Sequence, residues 1–248
     1  MDSSAPNVDG NDKKAKRAQR ALLVAIGVTL ALYFLPYGND IGYPLILFST
    51  FVHEMGHGIA GVLVGGTFEQ FQMNSDASGV ARVSGDLGRF ARAFVSFGGL
   101  VGPALMAAFF FVVAKWGRAS RITLGVFGLS FLLLDVLLVR NLFGFAFVAV
   151  MGVIFCGVAF KARSEIAQSL VVFLGVQLGL TVFSRGDYLF TEYAVVNGNK
   201  MPSDVANIAS NLFLPYWIWG AFIALFSVAV LGFGIFAFFK RQRTGTNS

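Results

Sequence analysis

Long apolar runs separated by short polar breaks constrain this chain more than any other feature. They appear at Ala21–Tyr37, Ile41–Gly65, Ala93–Lys115, Ile122–Val139, Leu142–Phe160, Ala167–Phe183 and Leu212–Phe239. Each is near the ~20 residues that cross a bilayer's hydrocarbon, with the first, fourth and sixth on the short side. Backbone amides in lipid must be satisfied within each segment, so the runs are expected to be helices. Composition agrees. Of the 248 residues, 56% are hydrophobic and only 13% charged, against roughly 25% charged in a soluble domain. The 28 phenylalanines exceed what a water-soluble core of this length could hide. The expected fold is an all-α polytopic membrane protein with six to seven transmembrane helices.

The formal charge of +6 does not indicate a nucleic-acid partner. Lys13, Lys14, Lys16, Arg17 and Arg20 sit directly before the first run, where cytoplasmic anchoring charge belongs, and no aromatic residue interleaves with them. Residues 1–20 are expected to be a disordered basic cytoplasmic tail, with Met1 to Asp12 polar and small. Residues 21–248 then form a single integral-membrane domain. The first run continues to Tyr37 without a small-residue cleavage site, which argues against a signal peptide. Cys156 is the only cysteine, so no intrachain disulfide can form. Seven spans would leave Lys240, Arg241 and Arg243 outside, against the usual bias. Arg140-Asn141, between the fourth and fifth runs, is where irregular backbone is expected. Tyr33, Tyr37 and Tyr43, and likewise Tyr216, Trp217 and Trp219, read as interfacial belts or as rings packed between helices.

After Gly65-Gly66, the stretch Thr67–Met73 reads as extended. Asn74–Gly79 supplies turn residues, and Val80–Val83 can return antiparallel. A small β-hairpin at the membrane surface is therefore expected after the second run, with an edge open to strand addition by an extended peptide. Gly61 with Gly65, and Gly98, Gly99 and Gly102, are spaced for close helix packing.

The chemistry concentrates in His53-Glu54-Met55-Gly56-His57. Two imidazoles at i and i+4 share one helical face and can bind one zinc ion. The adjacent glutamate can act on a metal-bound water as general base. The chain has only two histidines, and both fall in this pattern, a coincidence on the order of once in ten thousand sequences. The pattern also lies within an apolar run, where each ionisable group costs roughly 2.5 kcal/mol or more. These residues therefore point to peptide-bond hydrolysis inside the bilayer.

With that helix in a multi-span chain, the sequence resembles the site-2-protease-type intramembrane zinc metallopeptidases. Phe97-Gly98-Gly99-Leu100-Val101-Gly102-Pro103-Ala104-Leu105 is similar to the family's Gly-Pro-containing helix. Pro202-Ser203-Asp204-Val205-Ala206 and Leu214-Pro215-Tyr216-Trp217 resemble a compact bacterial branch. The resemblance implies zinc held by His53, His57 and an aspartate, with Glu54 catalytic and a membrane-protein substrate whose helix must unwind locally. It also implies a bacterial inner membrane location. The family's Leu-Asp-Gly, which carries the third ligand, is missing. Asp204 in the Ser-Asp element is the preferred substitute, ahead of Asp187 and Asp135, and Ser203 is placed to cap a helix starting there. Asp135 has an alternative as a partner for Arg140 or a neighbouring helix. Asn141 can orient a substrate backbone or cap a broken span. Two other functions use the same residues: a non-catalytic membrane scaffold, and a metal or proton transporter.

Overall fold

A computed structural model of the chain describes the backbone of residues 8–184 and 186–243. The side chains of Lys13, Lys14, Lys16, Arg17, Tyr33, Asp187, Arg241 and Arg243 lie outside the described residues. In chain order the elements are α1 (Val8–Phe34), α2 (Gly38–Leu63), β1 (Thr67–Met73), β2 (Gly79–Ser84), α3 (Arg89–Val113), α4 (Gly117–Leu138), α5 (Leu142–Lys161) and α6 (Ser164–Ser184). A 3-10 turn (Gly186–Phe190), β3 (Tyr193–Val196), β4 (Asn199–Pro202), α7 (Asp204–Asn211) and α8 (Tyr216–Arg243) complete the described chain.

Among the described residues, six helices are long and apolar enough to cross a membrane: α2, α3, α4, α5, α6 and α8. Within α1 the described apolar stretch is shorter, Gln19–Leu32. The described part of α1 starts at Val8, and the stretch that carries the basic cluster has helical backbone. The reason is local, because Lys, Arg, Ala and Gln are all strong helix formers. Aliphatic and phenylalanine side chains cover the outside, among them Leu133, Val136, Leu225 and Phe233. In a bilayer such a surface meets lipid, which accounts for the phenylalanine content.

Two glycines set the approach of α2 and α3. A Cβ on Gly56 would lie 2.3 Å from the Gly98 carbonyl oxygen, and one on Gly98 would lie 2.7 Å from that of Gly56. The backbones therefore touch, as small residues in membrane helices permit. Behind α2, Phe51 meets Phe131 of α4 at 4.3 Å between ring centroids and Phe71 of β1 edge-on at 5.5 Å. Phe48 meets Phe155 of α5 edge-on at 6.0 Å. This aromatic cluster fixes α2 from one side while α3 fixes it from the other.

The hairpin β1–β2 forms where the sequence places it, but not at the surface. It folds back along α2. The Phe68 ring sits against Gly58, Val83 against Gly61, and Gly79 against Thr50 and Glu54. At the tip, the Tyr43 hydroxyl donates to the Ser75 carbonyl at 2.7 Å and the Thr50 hydroxyl to that of Ala77 at 2.8 Å. Gly61 thus makes room for a strand rather than for a second helix. Gly65 has φ 86°, a left-handed value that suits glycine, and it turns the chain into the hairpin.

Extended backbone at membrane depth survives only where its polar groups are satisfied by protein. Here the irregular link between α4 and α5 does this for β1. Val139 bridges Phe71 in parallel register, and the Arg140 amide donates to the Phe71 carbonyl at 3.0 Å. Asn141 takes the Met73 amide at 3.1 Å and donates back to the Met73 carbonyl at 2.5 Å. The break expected at Arg140-Asn141 is therefore present. Its asparagine is spent on β1, and it makes no side-chain cap of α5.

A second hairpin, β3–β4, was not foreseen. It closes on Asn197-Gly198, with φ values of 47° and 77°. A two-residue turn of this kind matches the right-handed twist of its strands and favours Asn-Gly.

Candidate metal centre

Residue 53 begins the motif about midway along α2 (Gly38–Leu63), so its side chains project from the middle of a membrane-length helix. The i, i+4 spacing brings His53 Nε2 and His57 Nε2 to 3.1 Å. The third donor arrives from the far end of the chain. Asp204 Oδ2 lies 3.1 Å from His53 Nε2 and 3.4 Å from His57 Nε2.

Local chemistry explains why α7 presents its aspartate here. The Ser203 hydroxyl accepts from the Ala206 amide at 3.2 Å, the cap expected for a helix starting at Asp204. The same hydroxyl donates to the Thr191 carbonyl at 2.6 Å, and the Ser203 amide donates to the Glu192 carbonyl at 2.9 Å. Both ends of the second hairpin are thus tied together at Ser203, the residue that caps α7. Val205 and Ile208 then bury against Val101, Leu189 and Ile223, which seats α7 between α3 and α8.

The donor set fits a metal ion. His57 Nδ1 lies 2.9 Å from the Val95 carbonyl oxygen. A carbonyl can only accept, so Nδ1 carries the hydrogen and a neutral ring presents a lone pair at Nε2. Three electron-rich atoms then crowd together and call for a cation between them. Ligands of a tetrahedral zinc, each ~2.0–2.1 Å from the ion, lie roughly 3.3 Å apart, close to the spacings observed. Among the described residues, His53, His57 and Asp204 form the group that could hold a metal ion.

The surroundings support that use. A Cβ on Gly99 would stand 2.2 Å from the His57 ring, so glycine at that position makes space for the imidazole. Tyr188, on the 3-10 turn, donates its hydroxyl to Asp204 Oδ2 at 3.1 Å and meets the His53 ring edge-on at 6.3 Å.

Glu54 is 6% exposed, and its Oε2 accepts the Ala81 amide of β2 at 2.7 Å. It shares the wall of one cavity with His53, a space of about 470 Å3 that also reaches Gly79, Tyr188 and β3.

The other candidates lie elsewhere. Asp135 is 2% exposed on α4, with Oδ1 unpartnered, and it is outside the cluster. Arg140, its suggested partner, instead donates to the Val136, Leu137 and Val139 carbonyls. Asp187 lies on the 3-10 turn, its side chain outside the described residues.

Sequence reasoning passed over Tyr188, although it adjoins the flagged Asp187. It also missed the second hairpin, for which Asn197-Gly198 after Tyr193–Val196 is the signal. The Val95 carbonyl and Ala81 amide are backbone groups and leave no mark in a sequence.

A protein-family model described as Peptidase M50B-like matches residues 20–234, most of the chain. No curated protein and no solved structure matches it. The chain belongs to the Peptidase M50B-like family, whose wider group comprises zinc metallopeptidases acting on membrane-protein substrates.

Proposed function

We propose that this family member is a zinc-dependent intramembrane endopeptidase that cleaves a peptide bond in or near a transmembrane segment of a membrane protein. We place it in a bacterial inner membrane with its N-terminus cytoplasmic. The reading rests on one observation above others. Two imidazole nitrogens and a carboxylate oxygen lie 3.1–3.4 Å apart, and Glu54 lines the same cavity as His53 within a polytopic membrane chain.

His53, His57 and Asp204 would hold the zinc ion, which supplies Lewis acidity and brings the pKa of a bound water towards ~7. The remaining work belongs to the chain's own groups. Glu54 takes the proton from the attacking water and returns it to the departing amine nitrogen, as a general base and then a general acid. The Ala81 amide holds one carboxylate oxygen of Glu54 in place. Val95 fixes the His57 tautomer and Tyr188 orients Asp204, and such outer partners are worth ~10–100-fold in metal affinity or activity.

The test uses detergent-purified protein and a doubly tagged single-span peptide with a central Asn-Gly-Pro break. Glu54→Gln keeps an oxygen for the Ala81 amide but cannot take a proton, and a general base contributes ~10²–10⁴-fold. It should retain zinc and lose cleavage to that extent. His57→Ala and Asp204→Ala should lose zinc, and Asp135→Ala should keep it. Wild-type protein that is folded, supplemented and still zinc-free would sink this reading and favour a scaffold.

A further inference from the structure

We infer that the second hairpin, β3–β4, is a substrate-binding element, and that an extended substrate segment lies between the edge of β2 beside Glu54 and the open edge of β3. The inference rests on the proteolytic reading above and extends it to a wall of the site contributed by residues 193–202.

The outer edge of β1 is closed by Val139, Arg140 and Asn141. The opposite edge of the first hairpin is that of β2, where the Ala81 amide points at Glu54. An amide aimed at the general base marks this edge as the one beside the reaction.

The second hairpin has the complementary feature. Val196 pairs with Asn199 across the two-residue turn, and the residues flanking such a turn exchange hydrogen bonds. Alternation then turns the polar groups of Ala194 inward to Met201 and those of Val195 and Tyr193 outward. Pro202 opposite Tyr193 agrees, because proline has no amide to give and suits a position that needs none. Among the described residues, no strand pairs with that outward edge. All four residues of β3 line the cavity that holds His53, Glu54 and Gly79.

The two hairpins do not pair with each other. They touch at their tips, where the Asn197 amide donates to the Ser78 hydroxyl at 3.2 Å. At its base, the second hairpin is tied by Ser203, the residue before Asp204, to the Thr191 and Glu192 carbonyls. One strand-forming element thus reaches from the ligand to the tip of the first hairpin, with the cavity enclosed between. Leu100, Pro103, Val182 and Leu189 line the cavity with apolar surface, and Ser49 and Thr181 with hydroxyls. The segment that fits is uncharged, apolar and extended, bonded through its backbone on both sides. Two edges grip a peptide that has left its helical hydrogen bonds, and so replace the bonds lost on unwinding.

The experiment places a photoactivatable benzophenone side chain at Val80, Val195 or Lys200 of the full-length Glu54→Gln protein in lipid vesicles, with the Asn-Gly-Pro single-span peptide as probe. Capture is expected from Val80 and Val195 and not from Lys200 on the far strand. Adding Val195→Pro, which removes one outward amide at a position where proline is tolerated, should lower capture from Val80 about tenfold with zinc content unchanged. Capture from Val80 that survives Val195→Pro, or a failure of Val195 to capture, would overturn the paired-edge site. Cleavage of the same peptide by the wild-type chain is scored separately. Capture on both edges without any cleavage would sink the peptidase reading and leave the binding element standing.

Discussion

The two hairpins are the same motif in opposite circumstances. The first is embedded. Phe71 and Met73 are fully buried, β1 is bonded to the α4–α5 link, and β2 is bonded to Glu54. The second is exposed along Tyr193, Val195 and Met201 and is held at its base and its tip. A hairpin buried among helices can hold the Glu54 carboxylate in place, because packing on one side and the α4–α5 link on the other fix its strands. A hairpin held only at its ends presents its edge with little packing behind it. The two edges therefore differ in how firmly the rest of the chain holds them.

The sharpest way to break this contrast is to hollow out the first hairpin. Phe71→Ala removes a ring packed on Phe51 and should cost ~3–5 kcal/mol, lowering the thermal midpoint in detergent by many degrees. Val195→Ala, on an exposed strand, should leave that midpoint nearly unmoved. Equal losses would show that the second hairpin is as much a part of the core as the first.

Asn141→Ala comes next. It strands the amide and carbonyl of fully buried Met73, and an unsatisfied buried group costs about 1–3 kcal/mol. Hydrogen exchange at Met73 and its β2 partner Gly79 should quicken while exchange in β3–β4 does not change.

Ser203→Ala reverses the pattern. Losing a helix cap costs ~1 kcal/mol, and here the loss falls on the base of the second hairpin and on Asp204. Zinc affinity should fall about fivefold to tenfold, with the first hairpin's exchange untouched. A fall in the exchange protection of β1 instead would mean that the hairpins act as one unit.

The smallest effect belongs to the tip. The Ser78 hydroxyl and amide bond Asp76 and hold its carboxyl below the usual carboxylate range. A carboxyl with a lowered folded pKa adds stability above its unfolded value, near pH 4, and loses it as the pH falls through the folded one. Asp76 is exposed, so solvent screening limits the contribution to at most ~0.5 kcal/mol. Asp76→Asn should flatten a shallow acid dependence of exchange at Ser78 and leave neutral-pH behaviour alone.

Periodicity and spacing carried a good share of this protein. Apolar runs of membrane length must be helices, because lipid offers the backbone no partners. Residues 53 and 57 must share a helical face, because four residues make about one turn. Thr67–Val83 reads as a hairpin from its own turn residues, and Ser203 announces a helix start. Each of these depends on neighbours in the chain, which is why the sequence alone determined them.

Tertiary structure decided the rest. The sequence left three aspartates open beside the histidines. It is α7, packed between α3 and α8, that carries Asp204 to them, and that approach depends on Val205 and Ile208 meeting Val101 and Ile223 from distant parts of the chain. The depth of the first hairpin was likewise hidden, since it follows from Phe71 finding Phe51 and from Asn141 finding Met73 across the fold. The groups that orient the site, the Val95 carbonyl and the Ala81 amide, are common to almost every residue. Only their positions in space give them a role, and those positions come from packing distant segments together.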